Sequence, residues 1–157
     1  MRKALIIAIQ SYFATHQNYG IYHAVEISEK QVAIGNETFD VCVDLLNLQL
    51  EIIERILIPI KTRETEGGGH THLFTRDILS AMNMVKLNQT DYLMVVIVAK
   101  NWSKRETATL EGLLDYLVVI DQLPSEFVGF DNNEQVRLNR FIASVFDGDI
   151  KPKSLEG

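Results

Sequence analysis

A chain of 157 residues with 46% hydrophobic and 23% charged positions has the size and balance of one globular domain with a useful core, and nothing in it requires a second domain. The only cysteine, Cys42, excludes an internal disulfide and the usual zinc patterns, and fits a small core residue in a reducing cytoplasm. The net charge of -6 argues against a simple nucleic-acid coat protein, although residues 61–105 are net basic between two acidic flanks.

The first residues imitate a secretory signal, with Arg2 and Lys3 before ALIIAI, but the apolar run ends at Gln10 and Ser11 without a cleavage pattern. No apolar run approaches the length of a bilayer span, so no membrane is expected. Leu5, Ile9, Tyr12 and Phe13 recur at helix spacing until His16-Gln17-Asn18-Tyr19-Gly20 breaks the pattern. Ile21, His23, Val25 and Ile27 then alternate with their neighbours as in an extended segment. A short strand over 31–34 meets the Gly35-Asn36 turn and leads into a strand over 38–46. Period two there predicts Phe39, Val41, Val43 and Leu45 on one face and Asp40, Cys42 and Asp44 on the other.

Residues 52–61 read as a more deeply buried strand, followed by a helix that Thr75 can cap and whose stripe is Ile78, Met82 and Val85. The nearly continuous apolar run over 92–99 is typical of a strand covered on both faces. A short helix over 107–114 and a buried strand over 116–120 precede a last helix, capped near 131–133 and marked by Leu138, Phe141, Ile142 and Val145. The expected architecture is α/β, a mixed central sheet flanked by helices, in one domain over residues 1–148 with a disordered tail over 149–157.

One stretch asks for more than a core does. In 58–77, IPIKTRETEGGGHTHLFTRD, a strand ends at Lys61 and a charged knot of Arg63, Glu64 and Glu66 follows. Then come Gly67, Gly68 and Gly69, whose ordering is costly unless backbone must move or approach a ligand closely. A flexible surface turn is the plain alternative. His70 and His72 lack a third metal ligand, so they fit polar contacts to phosphate or a base edge better than a metal site, as do Arg63 and Arg76. Trp102, beside Asn101 and Lys104, suits either stacking on a ligand or packing on its own domain.

A strand opening with an aspartate (GNETFDVCV), a second strand ending in a lysine (ERILIPIK), a helix and a further buried strand resemble the PD-(D/E)XK nuclease superfamily. IPIKTRET-x-GGGH-x-x-LFTRDI is similar to a segment of restriction-endonuclease-like proteins, and the likeness spans roughly residues 20–100. The resemblance implies a restriction-endonuclease-like fold, a magnesium-dependent endonuclease acting on double-stranded DNA, and a homodimer suited to two-fold targets. By position, Asp40 matches the metal-binding aspartate and Lys61 the catalytic lysine. Phosphodiester hydrolysis needs a hard cation on carboxylate oxygens, which Asp40 offers, and a lysine that can stabilise developing charge, which Lys61 offers.

The chain departs from the family two positions before the lysine, where a second carboxylate shares the strand face and this sequence has Pro59. Asp44 is too far along its strand from Asp40, about 13 Å, to replace it. Glu64 is the first candidate for the missing ligand and Asp77 the second, with Glu26 behind them; each also suits an ion pair, a helix first turn or an exposed surface. Two other readings stand beside the nuclease. One is a nucleic-acid-binding module of the same fold that has lost its metal chemistry, and the other is a phosphate- or nucleotide-binding protein using the Gly67–Gly69 loop, which lacks the P-loop ending.

Overall fold

The computed structural model describes residues 2–16, 22–28, 30–34, 37–61, 78, 80, 83, 91–98, 102–120 and 130–149. Its elements are α1 (Arg2–Thr15), β1 (Ala24–Ser28), β2 (Val32–Ile34), β3 (Glu37–Phe39), β4 (Val41–Leu46), β5 (Ile52–Ile58), β6 (Ile60–Lys61), β7 (Asp91–Val98), α2 (Lys104–Leu113), β8 (Tyr116–Ile120) and α3 (Asn132–Phe146). The class is α/β with a mixed sheet, as its alternation of strands and helices requires. No described helix is long and apolar enough to cross a membrane.

Across the sheet the strands run β1, β4, β5, β7, β8, antiparallel from β1 to β5 and parallel from β5 to β8. The segments β5 and β6 both pair with β7, and the register offset that sets Arg55 opposite Asp91 also sets Lys61 opposite Ile97. They are therefore one strand interrupted at Pro59, not the unbroken strand expected over 52–61. Its first residues are also less buried than expected: Ile52 and Ile53 are exposed, while Ile56, Leu57 and Ile58 are sealed.

Strict alternation sends the two faces of each inner strand into separate cores. Val41, Val43, Ile56, Ile58, Tyr92, Met94 and Val96 pack with α1 and α3, where Leu138, Phe141, Ile142 and Val145 form the expected stripe. Cys42, Leu57, Leu93, Val95 and Ile97 pack on the other side with Leu110 of α2 and with Ile78, which is helical and fully buried. β7 is buried at every described side chain because both of its faces are covered, the situation that its unbroken apolar run implies. Thr75, Met82 and Val85 lie outside the described residues.

The expected single strand over 38–46 is corrected. A bend at Asp40 separates β3 from β4, and β3 leaves the main sheet to pair with β2. The bend resets the alternation, so Phe39 falls in the core of Cys42 and Leu57, opposite the Val41 face on which period two had placed it. Trp102 is buried in that same core, which favours packing over ligand stacking. The helix expected at 107–114 begins earlier, at Lys104. Ser103 accepts from Glu106 N at 3.1 Å while Glu106 Oε2 accepts from Ser103 N at 3.0 Å, a reciprocal capping box that the S-x-x-E spacing encodes. Asp131 caps α3 by accepting from Glu134 N at 2.8 Å. At the far end Gly148 takes a left-handed φ of 71°, and Asp149 N reaches Ser144 O at 3.0 Å, so the helix is closed before the residues from 150 on, which lie outside the description.

Charge enters the second face in one row. Glu26, Asp44, Arg55 and Asp91 are register partners across β1, β4, β5 and β7. Arg55 Nε meets Asp44 Oδ1 at 3.0 Å, and Cys42 Sγ donates to the same oxygen at 3.2 Å. Burial, then the Asp44 carboxylate, pushes the Cys42 thiol up from 9.0 to about 12. At pH 8 that shift lowers the thiolate fraction about 10³-fold relative to an ordinary thiol. Cys42 is therefore expected to resist a disulfide reagent in the native protein and to label at the rate of unfolding. Because its folded pKa is raised, its contribution to stability is complete below pH 9 and is lost as pH climbs towards 12. Urea midpoints measured from pH 8 to pH 11 should fall accordingly, and a native thiol that labels as fast as a free one would contradict the buried placement.

Candidate functional site

The candidate site lies where β4 begins, beside the end of β6. Pro59 causes it. Its carbonyl accepts from Val96 N at 3.1 Å, so the ring nitrogen also faces β7 and leaves that ladder one donor short. On the other side the β4 ladder ends at the pairing of Val41 with Ile58, because the chain before Val41 has bent away into β3. The next amide, Ile60 N–H, would face no strand. Asp40 supplies the acceptor: its Oδ2 takes Ile60 N–H at 2.7 Å, and its own N–H donates to Ile58 O at 3.0 Å.

Asp40 is half-buried, and its other oxygen, Oδ1, accepts from Gln31 Nε2 at 3.2 Å. Both oxygens therefore have a protein donor, yet a carboxylate carries about four lone-pair directions, so each keeps one for a cation or another donor. Gln31 was not foreseen as a partner. It sits nine residues before Asp40, and only the pairing of β2 with β3 folds it back onto the aspartate.

The structure brings the Asp40 carboxylate against the peptide N–H that immediately precedes Lys61, whose backbone pairs with Ile97 at the end of the parallel ladder. Pro59 is buried between them in sequence and gives no side-chain ligand. The other expected site residues, Arg63, Glu64, Gly67, Gly68, Gly69, His70, His72, Arg76 and Asp77, lie outside the described residues. Two acidic candidates are described and stand elsewhere. Asp44 is held by Arg55, and Glu26 is the exposed register partner of Asp44, so neither reaches Asp40. Among the described residues no group of three acidic, histidine or cysteine side chains is close enough to hold a metal ion.

A second polar contact crosses the first core. Tyr22 O–H donates to Glu54 Oε2, and burial, then this contact, raise the tyrosine pKa. Tyr92, one strand away, is pushed up to about 12, by burial first and the Glu54 charge second. Buried rings around one carboxylate make a structural clamp between β5, Tyr22 and α3, whose Val145 O lies 3.4 Å from the Tyr22 hydroxyl.

The Asp40 bond has a measurable structural share. Asp40→Ala leaves Ile60 N–H without its acceptor and is expected to cost about 1–3 kcal/mol in urea unfolding. Asp40→Asn, whose amide oxygen can still accept, should recover most of that loss, with Gln31 turning its own oxygen to the new amide. Equal stability of Asp40→Ala and the unmodified protein would show that the bond contributes nothing to the fold.

Set against protein-family models, curated proteins and solved structures, the chain finds no match.

Proposed function

We propose that the chain is a metal-dependent endonuclease of restriction type, hydrolysing phosphodiester bonds in double-stranded DNA as a homodimer. The observation that carries this reading is the Asp40 carboxylate fixed one peptide from Lys61 at the end of a sheet strand. The sequence resemblance leads one to look for an aspartate near a lysine-bearing strand end, and what supports it is the Lys61 backbone beside the Asp40 contact, in an α/β sheet with helical cover on both faces.

Magnesium, bound on carboxylate oxygens, would polarise the phosphate and lower the pKa of an attacking water. The donor chemistry of Asp40 fits such a cation, since both of its oxygens keep a free lone pair and two N–H donors hold them in place. Glu64 or Asp77 completes the carboxylate set that Pro59 leaves short, with Glu64 the first choice. Lys61 stabilises charge on the attacked phosphate. Arg63, Arg76, His70, His72 and the Gly67–Gly69 backbone supply phosphate and base-edge contacts from a locally basic segment.

A second reading has its own observation. Pro59 stands in the acidic position, and both Asp40 oxygens already serve the fold, which is what a binding module of this architecture without catalysis would retain. Cleavage decides between the two. Supercoiled DNA incubated with magnesium or manganese should be nicked by the unmodified protein. Asp40→Asn, which keeps the Ile60 acceptor, should abolish nicking without loss of fold, and Lys61→Ala should slow it about 10²–10³-fold with DNA affinity little changed. Glu64→Gln and Asp77→Asn separate the second ligand, since only the true one should lose activity that manganese partly restores. Binding without nicking, across varied sequences and both metals, would establish the non-catalytic reading instead.

A further inference from the structure

We propose that two copies of this chain associate reciprocally, the turn between β4 and β5 of each seating Leu48 and Leu50 in a groove beside α1 of the other. This rests on the homodimer of the nuclease reading and gives it an interface; because it uses neither Asp40 nor DNA, its failure is distinguishable from a failure of cleavage.

The turn is built as a rigid platform. Asn47 N donates to Glu51 O and Leu50 N to Asn47 O, both at 3.0 Å, while Asn47 Oδ1 accepts from Gln49 N at 3.0 Å and Glu51 N at 2.9 Å. This platform holds up apolar side chains: Leu48 is 73% exposed and Leu50 65%. Leu50 also takes a left-handed φ of 60°, a conformation that glycine or asparagine adopts with less strain. Neither the strain nor the exposure helps the isolated chain, and both are explained if the leucines are the part that docks.

A matching surface exists on the same molecule. A groove of about 510 Å³ is lined, among the described residues, by Arg2, Lys3, Ile6, Ile7 and Gln10 of α1, and Ile7 is 51% exposed. Arg2 and Lys3 stand in the first turn of α1, which holds no acidic residue, so their charges oppose the helix dipole. An incoming acidic group would offset those two charges, and the turn brings the exposed Glu51, whose Oε2 accepts from Asn47 Nδ2 at 3.3 Å, next to Leu50. Apolar side chains with an adjacent carboxylate thus meet a groove in which Ile6 and Ile7 stand beside two cations. Stable interfaces take about 800 Å² from each partner, more than one turn supplies, so the favoured arrangement is the closed one in which each copy gives both a turn and a groove.

The test is sedimentation velocity of the full chain without DNA or metal, from micromolar to several hundred micromolar. The unmodified protein should show a discrete, concentration-dependent dimer. Leu50→Asn and Ile7→Gln, both at exposed positions, should each weaken it at least about 10-fold. Leu50→Asn should at the same time raise the melting temperature of the monomer, because asparagine suits the left-handed backbone. Lys3→Glu should weaken the dimer, and adding Glu51→Lys to the same chain should restore it. A monomer at all concentrations, open-ended polymers, or a dimer indifferent to either Leu50→Asn or Ile7→Gln would overturn the proposal.

Discussion

The hydrogen bond from Ile60 N to Asp40 Oδ2 holds together a sheet that Pro59 would otherwise weaken. Proline belongs at sheet edges because it cannot donate to a ladder, yet Pro59 is buried between the antiparallel and parallel halves. The register with β7 is unchanged across the break, so the strand is not displaced, only deprived of donors and neighbours. A side-chain carboxylate then replaces the missing strand on the β4 side. The net value of such a bond is about 1.5–3 kcal/mol when its acceptor is charged, a sizeable fraction of the stability of a domain this size.

The two cores on either side depend on that continuity. Alternation along β5 and β7 works only if each residue keeps its face, and the constant register ensures that Ile56 and Ile58 point to α1 and α3 while Leu57 points to α2. The row of Asp44, Arg55 and Asp91 closes the second face at the opposite end from Asp40. Asp91 is almost fully buried, and the Arg55 guanidinium beside it offsets the cost of taking its charge out of water. One end of the sheet is thus an internal ion-paired seal, while the other carries a carboxylate with coordination capacity left.

Local signals in the sequence carried most of the fold. β7 was legible because its apolar run is uninterrupted, and α3 because its stripe and Asp131 cap agree. The S-x-x-E capping box of α2 is equally legible and starts that helix at Lys104, a turn ahead of the start at 107. Phase was the harder quantity. Period two across 38–46 assumes an unbroken strand, and nothing local in Phe39-Asp40-Val41 announces a bend; the bend follows from pairing of β3 with β2, a tertiary choice. The contact of Gln31 with Asp40 was hidden for the same reason. Of the candidate site, the adjacency of Asp40 to the end of the lysine-bearing strand could be anticipated, because it follows from two strands pairing in the order of their motifs. The part Asp40 plays for Ile60 could not, since it depends on where β4 stops.

The fork at Asp40 also bears on where chemistry can occur. A continuous sheet satisfies its backbone internally and leaves its edge atoms committed, whereas a fork leaves amides that a side chain or ligand must meet. Here β3 departs towards β2 just where β6 ends, so the gap between the diverging strands is flanked by the Asp40 carboxylate and the Lys61 backbone. A carboxylate already oriented by two N–H donors loses little rotamer freedom on meeting a cation, which is the pre-organisation that metal chemistry favours. The same two bonds would persist unchanged if the cation never came. Structural need alone explains an acceptor at residue 40, which an asparagine could also provide; a full negative charge beside a lysine-bearing strand end is the feature that structural need leaves over.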